Sequence, residues 1–98
     1  MITRIVRLTI QPEKAEAFLD RFNTTYNAIR NFPGCSHLRL FQDTDQPNVF
    51  ITFSHWDNVE SLENYRQSPL FQTTWSEVKP MFGAAPVAFS MNEIVSDK

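Results

Sequence analysis

Two histidines and one cysteine are the residues of this sequence with the broadest catalytic and metal-binding chemistry. His37 and His55 each fall within a stretch that predicts a strand, and neither has a second His or Cys nearby at the spacing of metal ligands. A lone thiol, Cys35, excludes a disulfide within the chain, and an unpaired cysteine usually packs as a small apolar side chain. We therefore expect no metal site and interpret Cys35 as structural.

Neither a phosphate-binding loop nor a pair of catalytic acids is indicated. The two glycines, Gly34 and Gly83, are far apart, whereas a phosphate loop needs several glycines close together. The acidic residues Glu60, Glu63 and Glu77 fall on helix faces that we expect to contact solvent. The formal net charge of −2 gives no reason to expect nucleic acid or an anionic membrane as a partner.

The length of 98 residues and the 42% hydrophobic content are those of one domain, residues 1–98. A chain of this size buries roughly 60–70% of its unfolded surface, so oligomerisation would add stability. No charged segment followed by an apolar one opens the sequence, and it contains no run of about 18 apolar residues. We therefore expect a soluble, cytoplasmic protein.

The spacing of the apolar residues predicts strands and helices in alternation. The predicted elements are a strand over 2–10, a helix over 13–30, strands over 36–43 and 49–56, a helix from 58 that breaks at 69 and restarts to about 82, and a strand over 86–95. We expect Asp57 and Ser68 to cap the two pieces of the broken helix. The order β-α-β-β-α-β predicts a ferredoxin-like α+β fold, in which a four-stranded antiparallel sheet carries the helices on one face.

Alternation along the strands assigns side chains to the two faces of that sheet. The predicted helix-facing side consists of Val6, Leu8, Leu38, Leu40, Val49, Ile51, Phe53, Val87, Phe89 and Met91. On the other side, large apolar residues are predicted among smaller and charged ones: Ile5, Phe41, Phe50, Trp56 and Ile94. Because such a patch usually marks an interface, we expect a homodimer joined through this sheet face; the alternative is that these are ordinary, singly exposed apolar residues.

Three short motifs resemble one family. Phe-Pro-Gly-Cys at residues 32–35, Trp56-Asp57 at the end of the third strand, and Ser68-Pro69-x-Phe71 are similar to the antibiotic biosynthesis monooxygenase family, and the resemblance covers essentially the whole chain. It implies a dimeric α+β barrel with a small-molecule pocket between sheet and helices. The family includes cofactor-independent monooxygenases of aromatic polyketides and quinols, haem-degrading enzymes, isomerases of signal molecules and members without known activity.

The residues that distinguish the family's haem-degrading members do not occur here. Those members use an Asn on the first strand, a Trp in the helix after the third strand and a His that binds iron; the corresponding positions hold Val6, Tyr65 and Trp75. An indole has no lone pair available for iron, so we expect no haem and no other cofactor. Many quinol-oxidising and isomerase members carry a His near residue 65 or just beyond Pro69, and this chain departs from that pattern.

By this resemblance, the pocket between sheet and helices holds the candidate site residues. Those that could stabilise a substrate anion, and are the candidate catalytic residues, are Tyr65, Arg4 and His55. Those predicted to bind substrate are Val6, Phe22, Tyr26, Phe71 and Trp75. Arg4 falls on the helix-facing side, where a cation needs a partner, a ligand or a route to water; alternatively, its stem packs and its head reaches solvent at the strand end. Aromatic rings of this kind are more often core than substrate site.

These residues lead to one leading hypothesis and two alternatives. The leading hypothesis is a cofactor-independent monooxygenase acting on an aromatic phenol or quinol, because the protein then needs only to stabilise a substrate anion and enclose it with oxygen. One alternative is a non-catalytic protein that binds a small aromatic molecule in the same pocket. The other is a structural dimer whose cavity is filled by its own side chains.

Overall fold

The computed structural model describes residues 1–97. Its elements are, in chain order, β1 (Ile2–Thr9), α1 (Ala15–Arg30), β2 (Cys35–Gln42), β3 (Val49–Trp56), α2 (Val59–Arg66), α3 (Pro69–Val78) and β4 (Val87–Met91), with short 3-10 turns at Pro12–Lys14 and Lys79–Met81. This order confirms the ferredoxin-like β-α-β-β-α-β arrangement and the division of the second helical unit. The last strand is shorter than predicted, because β4 ends at Met91 and leaves Ile94 beyond the sheet.

The four strands form one antiparallel sheet in the order β2-β3-β1-β4. Residues directly opposite each other in an antiparallel pair project from the same face of the sheet. Ile5 on β1 lies opposite Phe53 on β3 and Phe89 on β4, and Phe53 lies opposite Arg39 on β2. These side chains therefore share one face, which we call the outer face because the helices pack against the other.

The predicted faces of β3 are wrong. Phe50 and Trp56 are almost completely buried on the helix-facing side, where the Phe50 ring lies 5.0 Å from that of Phe18. The residues that alternate with them project from the other side: Val49, Ile51 and Phe53. The prediction failed because β3 is apolar on both sides, and the two small polar residues between Phe50 and Trp56 suggested a solvent-exposed side.

The faces of β4 are reversed in the same way. Phe89 and its neighbours on alternate positions were expected to face the helices, but they project from the outer face with Ile5. Ala88 and Ser90 point to the helix side instead. Val49 is buried, and the other large apolar side chains of the outer face are Ile5, Phe41, Ile51, Phe53, Val87, Phe89 and Met91. Phe41 and Phe89 expose 46% and 45% of their surface, so this side of the sheet is both apolar and accessible.

The cap of α2 differs from the prediction, whereas that of α3 agrees with it. Asn58, not Asp57, caps α2, because its side-chain oxygen accepts a hydrogen bond at 2.8 Å from the backbone N–H three residues later. The Asp57 N–H instead donates to the Gly34 carbonyl at 2.9 Å. Ser68 caps α3 as predicted, with its Oγ accepting from the Phe71 N–H at 3.1 Å.

Gly34 makes possible the tight turn that joins α1 to β2. Its φ of +92° lies in the left-handed region, which side chains with a Cβ rarely adopt. A Cβ added there would lie 2.4 Å from the Cβ of Ser61, so the turn also packs directly on the start of α2. Glycine is therefore required at this position for both backbone conformation and space.

Candidate active site

A cavity of about 390 Å³ lies between the helix-facing side of the sheet and the three helices. This volume is within the range of small-molecule binding sites. The sheet contributes Arg4, Val6, Leu8, Leu38, Thr52, Ser54, Trp56 and Ala88, with Pro86 just before β4. The helices contribute Phe18, Arg21, Phe22, Thr25, Ile29, Leu62, Tyr65, Arg66, Phe71, Thr74, Trp75 and Val78.

Two groups of buried apolar side chains support the walls of the cavity. The first consists of Leu8, Ile10, Phe18, Phe50 and Val78. The second consists of Ile2, Cys35, Trp56 and Leu62. Members of both groups line the cavity, which therefore lies between the two groups. Cys35 belongs to this packing, and burial raises the pKa of its thiol, which agrees with its interpretation as structural.

A row of aromatic rings runs along one wall of the cavity, from Trp56 on β3 to side chains of α2 and α3. Trp56 and Tyr65 stack at a centroid distance of 4.9 Å, Tyr65 meets Phe71 edge-on at 5.3 Å, and Phe71 stacks on Trp75 at 5.7 Å. Phe71 and Trp75 lie one turn apart on α3, which begins at Pro69 after α2 ends at Arg66, and both helices contribute rings. Such a wall favours flat apolar ligands.

Tyr65 places a phenol on this wall. Burial raises the pKa of Tyr65 to about 12, because the ionised phenolate would be poorly solvated there, and the nearby Cys35 acts in the same direction. The hydroxyl is therefore neutral across the physiological pH range. It is suited to donating a hydrogen bond to a ligand oxygen rather than to acting as a base.

Arg4 is half-buried and reaches the cavity from β1. Its Nη1 donates a hydrogen bond to the Ser90 hydroxyl on β4 at 3.2 Å. The pKa of Arg4 is lowered, first by burial and then by the positive charge of Arg66, while Glu63 acts in the opposite direction. A guanidinium remains charged despite such effects. Arg4 is therefore a fixed positive charge with a neutral hydroxyl as its side-chain partner on β4.

Two further arginines line the cavity, and neither was predicted. Arg66 on α2 is exposed and pairs with Glu63 at 3.4 Å, a spacing that makes this a weak surface ion pair. Arg21 on α1 pairs with Glu77 on α3. Neither Glu63 nor Glu77 lines the cavity. The lining contains three arginines and neither Asp nor Glu. The charge facing the cavity is positive, although the chain as a whole is acidic.

The polar hydroxyls of the cavity differ in whether they already have partners. Ser54 Oγ accepts a hydrogen bond from the Trp56 indole N–H at 3.0 Å. Thr25 Oγ1 donates to the backbone carbonyls of Arg21 and Phe22 within its own helix. Thr74 Oγ1 on α3 is buried without a hydrogen-bond partner among residues 1–97. A buried hydroxyl in this state gains from a ligand that offers a polar atom.

Most of the predicted site residues come together in this cavity. The six that line it are Arg4, Val6, Phe22, Tyr65, Phe71 and Trp75. His55 does not, because it lies on the outer face, with its ring 4.9 Å from His37 and 5.0 Å from Phe53. Its predicted place in the pocket depended on the reversed face of β3. Tyr26 is also outside the lining, since it is on α1 with its hydroxyl donating to the Leu38 carbonyl at 3.2 Å.

Sequence reasoning missed several lining residues, of which Arg66 and Thr74 matter most for binding. A signal for Arg66 was available: it follows Leu62 by four residues on α2, so it falls on the face that packs toward the sheet. No comparable signal marked Thr74, because a threonine on a helix is usually unremarkable.

Residues 1–97 lack two features that would indicate other kinds of site. Within this range there is no cluster of three or more His, Cys, Asp and Glu side chains that could hold a metal ion. No helix in the same part of the chain is long and apolar enough to cross a membrane.

Known structures share this fold over nearly the full chain. A solved antibiotic biosynthesis monooxygenase superposes with a TM-score of 0.90 at 19% identity, covering 97% of this chain and 100% of the other. Rv0793 from Mycobacterium tuberculosis superposes with a TM-score of 0.89 at 15% identity, covering 99% and 98%. A conserved protein from Methanosarcina mazei Go1 has a TM-score of 0.89 at 16% identity, covering 96% and 94%. At these identities the likeness concerns the fold.

Sequence comparison gives a closer assignment. The uncharacterized protein sll1783 of Synechocystis is 28% identical over 87 residues, which are 89% of this chain, and the chain spans 58% of that protein's length. Residues 1–75 match the sequence pattern of the family described as antibiotic biosynthesis monooxygenase. Since this match covers the first three strands, α1, α2 and most of α3, the chain belongs to the antibiotic biosynthesis monooxygenase family.

Proposed function

We propose that this protein is a cofactor-independent monooxygenase acting on an aromatic phenol or quinol. The observation that carries the proposal is the cavity itself: about 390 Å³, walled on one side by stacked rings and bordered by the positive charge of Arg4. A flat aromatic molecule fits such a wall, and a nearby cation favours its ionised form.

The proposed chemistry requires little from the protein beyond electrostatics and enclosure. Arg4 stabilises the phenolate of the substrate, which is more electron-rich than the phenol and reacts directly with O₂. The neutral hydroxyl of Tyr65 donates to a substrate oxygen and orients the ring. For a phenol with an open para position, one oxygen atom enters the ring to give a quinone. The other atom leaves as water with the two hydrogens that the substrate loses, so that no external reductant is needed.

The experiment compares aerobic with anaerobic incubation of the protein with 1-naphthol, anthrone and naphthohydroquinone. The proposal predicts enzyme-dependent oxygen uptake with at least one of them, and one atom of labelled O₂ in the quinone product of 1-naphthol or anthrone. An Arg4→Met protein that retains its fold should show strongly reduced uptake. If no member of the panel gives uptake above the protein-free background, the monooxygenase proposal is wrong.

The second candidate is a non-catalytic protein that binds an aromatic molecule in the same cavity. The departure from the family's quinol-oxidising pattern near residue 65 favours it, because Tyr65 is too weak an acid to exchange protons at neutral pH. Binding without oxygen uptake would select this alternative. The open volume of the cavity argues against a purely structural dimer filled by its own side chains.

We further propose that the protein is a homodimer in which two outer faces pack together. The support is the large apolar area that the outer face exposes, with aromatic or branched residues contributed by all four strands. A patch of this size on a small domain is stabilised when a second copy covers it. Light scattering should give twice the chain mass at micromolar concentration, and a stable monomer would contradict the proposal.

A further inference from the structure

Two guanidinium groups reach the cavity, whereas the proposed phenolate presents only one oxygen to them. Arg4 and Arg66 reach the cavity from β1 and α2, and the two charges are close enough for Arg66 to lower the pKa of Arg4. Like charges brought together in a partly buried place cost stability unless an anion joins them. The arrangement therefore suggests a ligand that supplies this anion.

The local charge balance identifies the kind of anion. Arg21 is paired with Glu77, so it contributes little net charge to the cavity. Glu63 is paired with Arg66, and it offsets part of the remaining charge of Arg4 and Arg66. The sum of these groups is close to one unmatched positive charge. A singly charged group matches that balance better than a phosphate, which carries up to two negative charges. Among singly charged groups, a carboxylate offers two oxygens to the two guanidinium groups, whereas a phenolate offers one.

We infer that the ligand of this cavity is a planar aromatic carboxylate, with its ring along the Tyr65–Trp75 wall and its carboxylate held by Arg4 and Arg66. The inference rests on the proposed binding of an aromatic molecule in the cavity and narrows its class. Guanidinium groups suit this role because their planar N–H groups can pair with both oxygens of a carboxylate. Thr74 offers its unpartnered hydroxyl to a polar substituent elsewhere on the ring.

The test uses two ligands of nearly the same shape that do not react with oxygen. Binding of 2-naphthoate and of its neutral isostere 2-naphthamide is measured by calorimetry. We expect naphthoate to bind about tenfold more tightly or better, since hydrogen bonds to charged groups are roughly twice as strong as neutral ones. The Arg4→Met and Arg66→Met proteins should each lose about tenfold in naphthoate affinity while binding naphthamide unchanged.

Control variants separate a specific site from a general effect of charge. Lys14→Met removes one positive charge from the 3-10 turn before α1, outside the cavity lining, and should leave naphthoate binding unchanged. Arg4→Lys keeps the charge but not the planar fork, and should retain binding only in part. Arg66 is exposed, so its replacement gives a folded protein even if a change at Arg4 does not.

Four outcomes would overturn the inference: no measurable naphthoate binding, equal affinity for the two ligands, unchanged naphthoate affinity after both arginine replacements, or tighter binding of a phosphate. Tighter binding of 2-naphthyl phosphate than of naphthoate would reassign the site to a phosphate. Oxygen uptake does not enter the test. The charge preference can therefore stand if the monooxygenase proposal fails, and oxidation of a neutral phenol can stand if the charge preference fails.

Discussion

The rings of Trp56 and Tyr65 stack 4.9 Å apart, with their planes inclined by 24°. Phe32 contacts both of them, and the Trp56 indole N–H is already bonded to the Ser54 hydroxyl. Within this pair the indole contributes shape, and the phenol contributes the polar group that a ligand can use. The ring of Tyr65 and its hydroxyl can therefore be tested separately.

Replacing Tyr65 by Phe should keep the ring contacts and remove only the hydroxyl. We expect the free energy of unfolding at pH 7 to change by less than about 1 kcal/mol, the typical net value of one hydrogen bond. Turnover of any phenol that the wild type oxidises should fall about tenfold or more. Oxygen uptake and chemical denaturation measure the two effects. Unchanged turnover would make Tyr65 a packing residue and leave Arg4 as the remaining candidate.

The pKa of Tyr65 predicts a loss of stability in alkaline solution. An unfolded tyrosine ionises near pH 10, whereas the folded Tyr65 keeps its proton until about pH 12. Between these values the unfolded state releases a proton that the folded state retains, so the free energy of unfolding falls as pH rises, by up to ~3 kcal/mol. Below pH 10 this effect is absent.

Denaturant unfolding across that pH range can isolate the contribution of Tyr65. The Tyr65→Phe protein should lose less stability between pH 10 and pH 12 than the wild type. Parallel curves for the wild type and Tyr65→Phe would contradict the prediction.

Two threonines of the cavity should respond differently to replacement by valine. Thr74→Val removes a buried hydroxyl that has no partner among residues 1–97, so we expect it to be neutral or slightly stabilising. Thr25→Val removes a hydroxyl that is bonded within α1 and should cost about 1 kcal/mol. Thermal and chemical denaturation provide the comparison. A clear destabilisation by Thr74→Val would mean that its hydroxyl does have a partner in solution.

The corrected faces of β3 and β4 give opposite predictions for two phenylalanines. Phe89→Asp places a charge on the outer face, and it should yield a folded monomer if two outer faces pack together. Phe50→Ala creates a cavity beside Phe18 and should cost about 3–5 kcal/mol without a specific effect on assembly. Gln72→Asp, on the exposed side of α3, is the control for added charge. A Phe89→Asp protein with unchanged mass by light scattering would contradict the proposed interface.

The turn at Gly34 can be tested by separating space from backbone conformation. Gly34→Ala should destabilise the protein by more than about 1–2 kcal/mol, because it adds both a positive-φ penalty and a clash with Ser61. Adding Ser61→Gly should recover only the part caused by the clash. Gly83→Ala is the control, since its Cβ would meet the nearest atom at 3.4 Å and its φ is not positive. Full recovery in the double variant would show that φ contributes nothing.

The order of the strands and helices could be predicted because local sequence signals mark where they begin and end. The long apolar stripe of α1, the restart at Ser68-Pro69 and the turn at Gly34 each depend on local chemistry that a single sequence contains. The predicted cap of α2 was wrong by one position. Asp57 and Asn58 are both good capping residues, and the hydrogen bond from the Asp57 N–H to the Gly34 carbonyl leaves Asn58 as the cap.

The faces of β3 and β4 could not be predicted in the same way. Polar alternation normally marks the solvent side of a strand, but here small residues such as Thr52 and Ala88 border a cavity. Large apolar residues such as Phe53 and Phe89 lie on the accessible side. The rule that polar residues of a strand face solvent and apolar residues face the core therefore fails here, because these strands border a cavity on one side and an exposed apolar face on the other. This inversion also misplaced His55, whereas Arg4 on β1 was placed correctly.

The positions of Ala88 and Thr52 affect how the ligand specificity of this protein could evolve. Both border the hollow, yet neither belongs to the two buried groups that hold the sheet and helices together. A larger residue at Ala88 would reduce the cavity volume available to a ligand and would leave the packing of both buried groups unchanged. Single substitutions at such positions can therefore change the ligand specificity of the cavity during evolution without destabilising the fold.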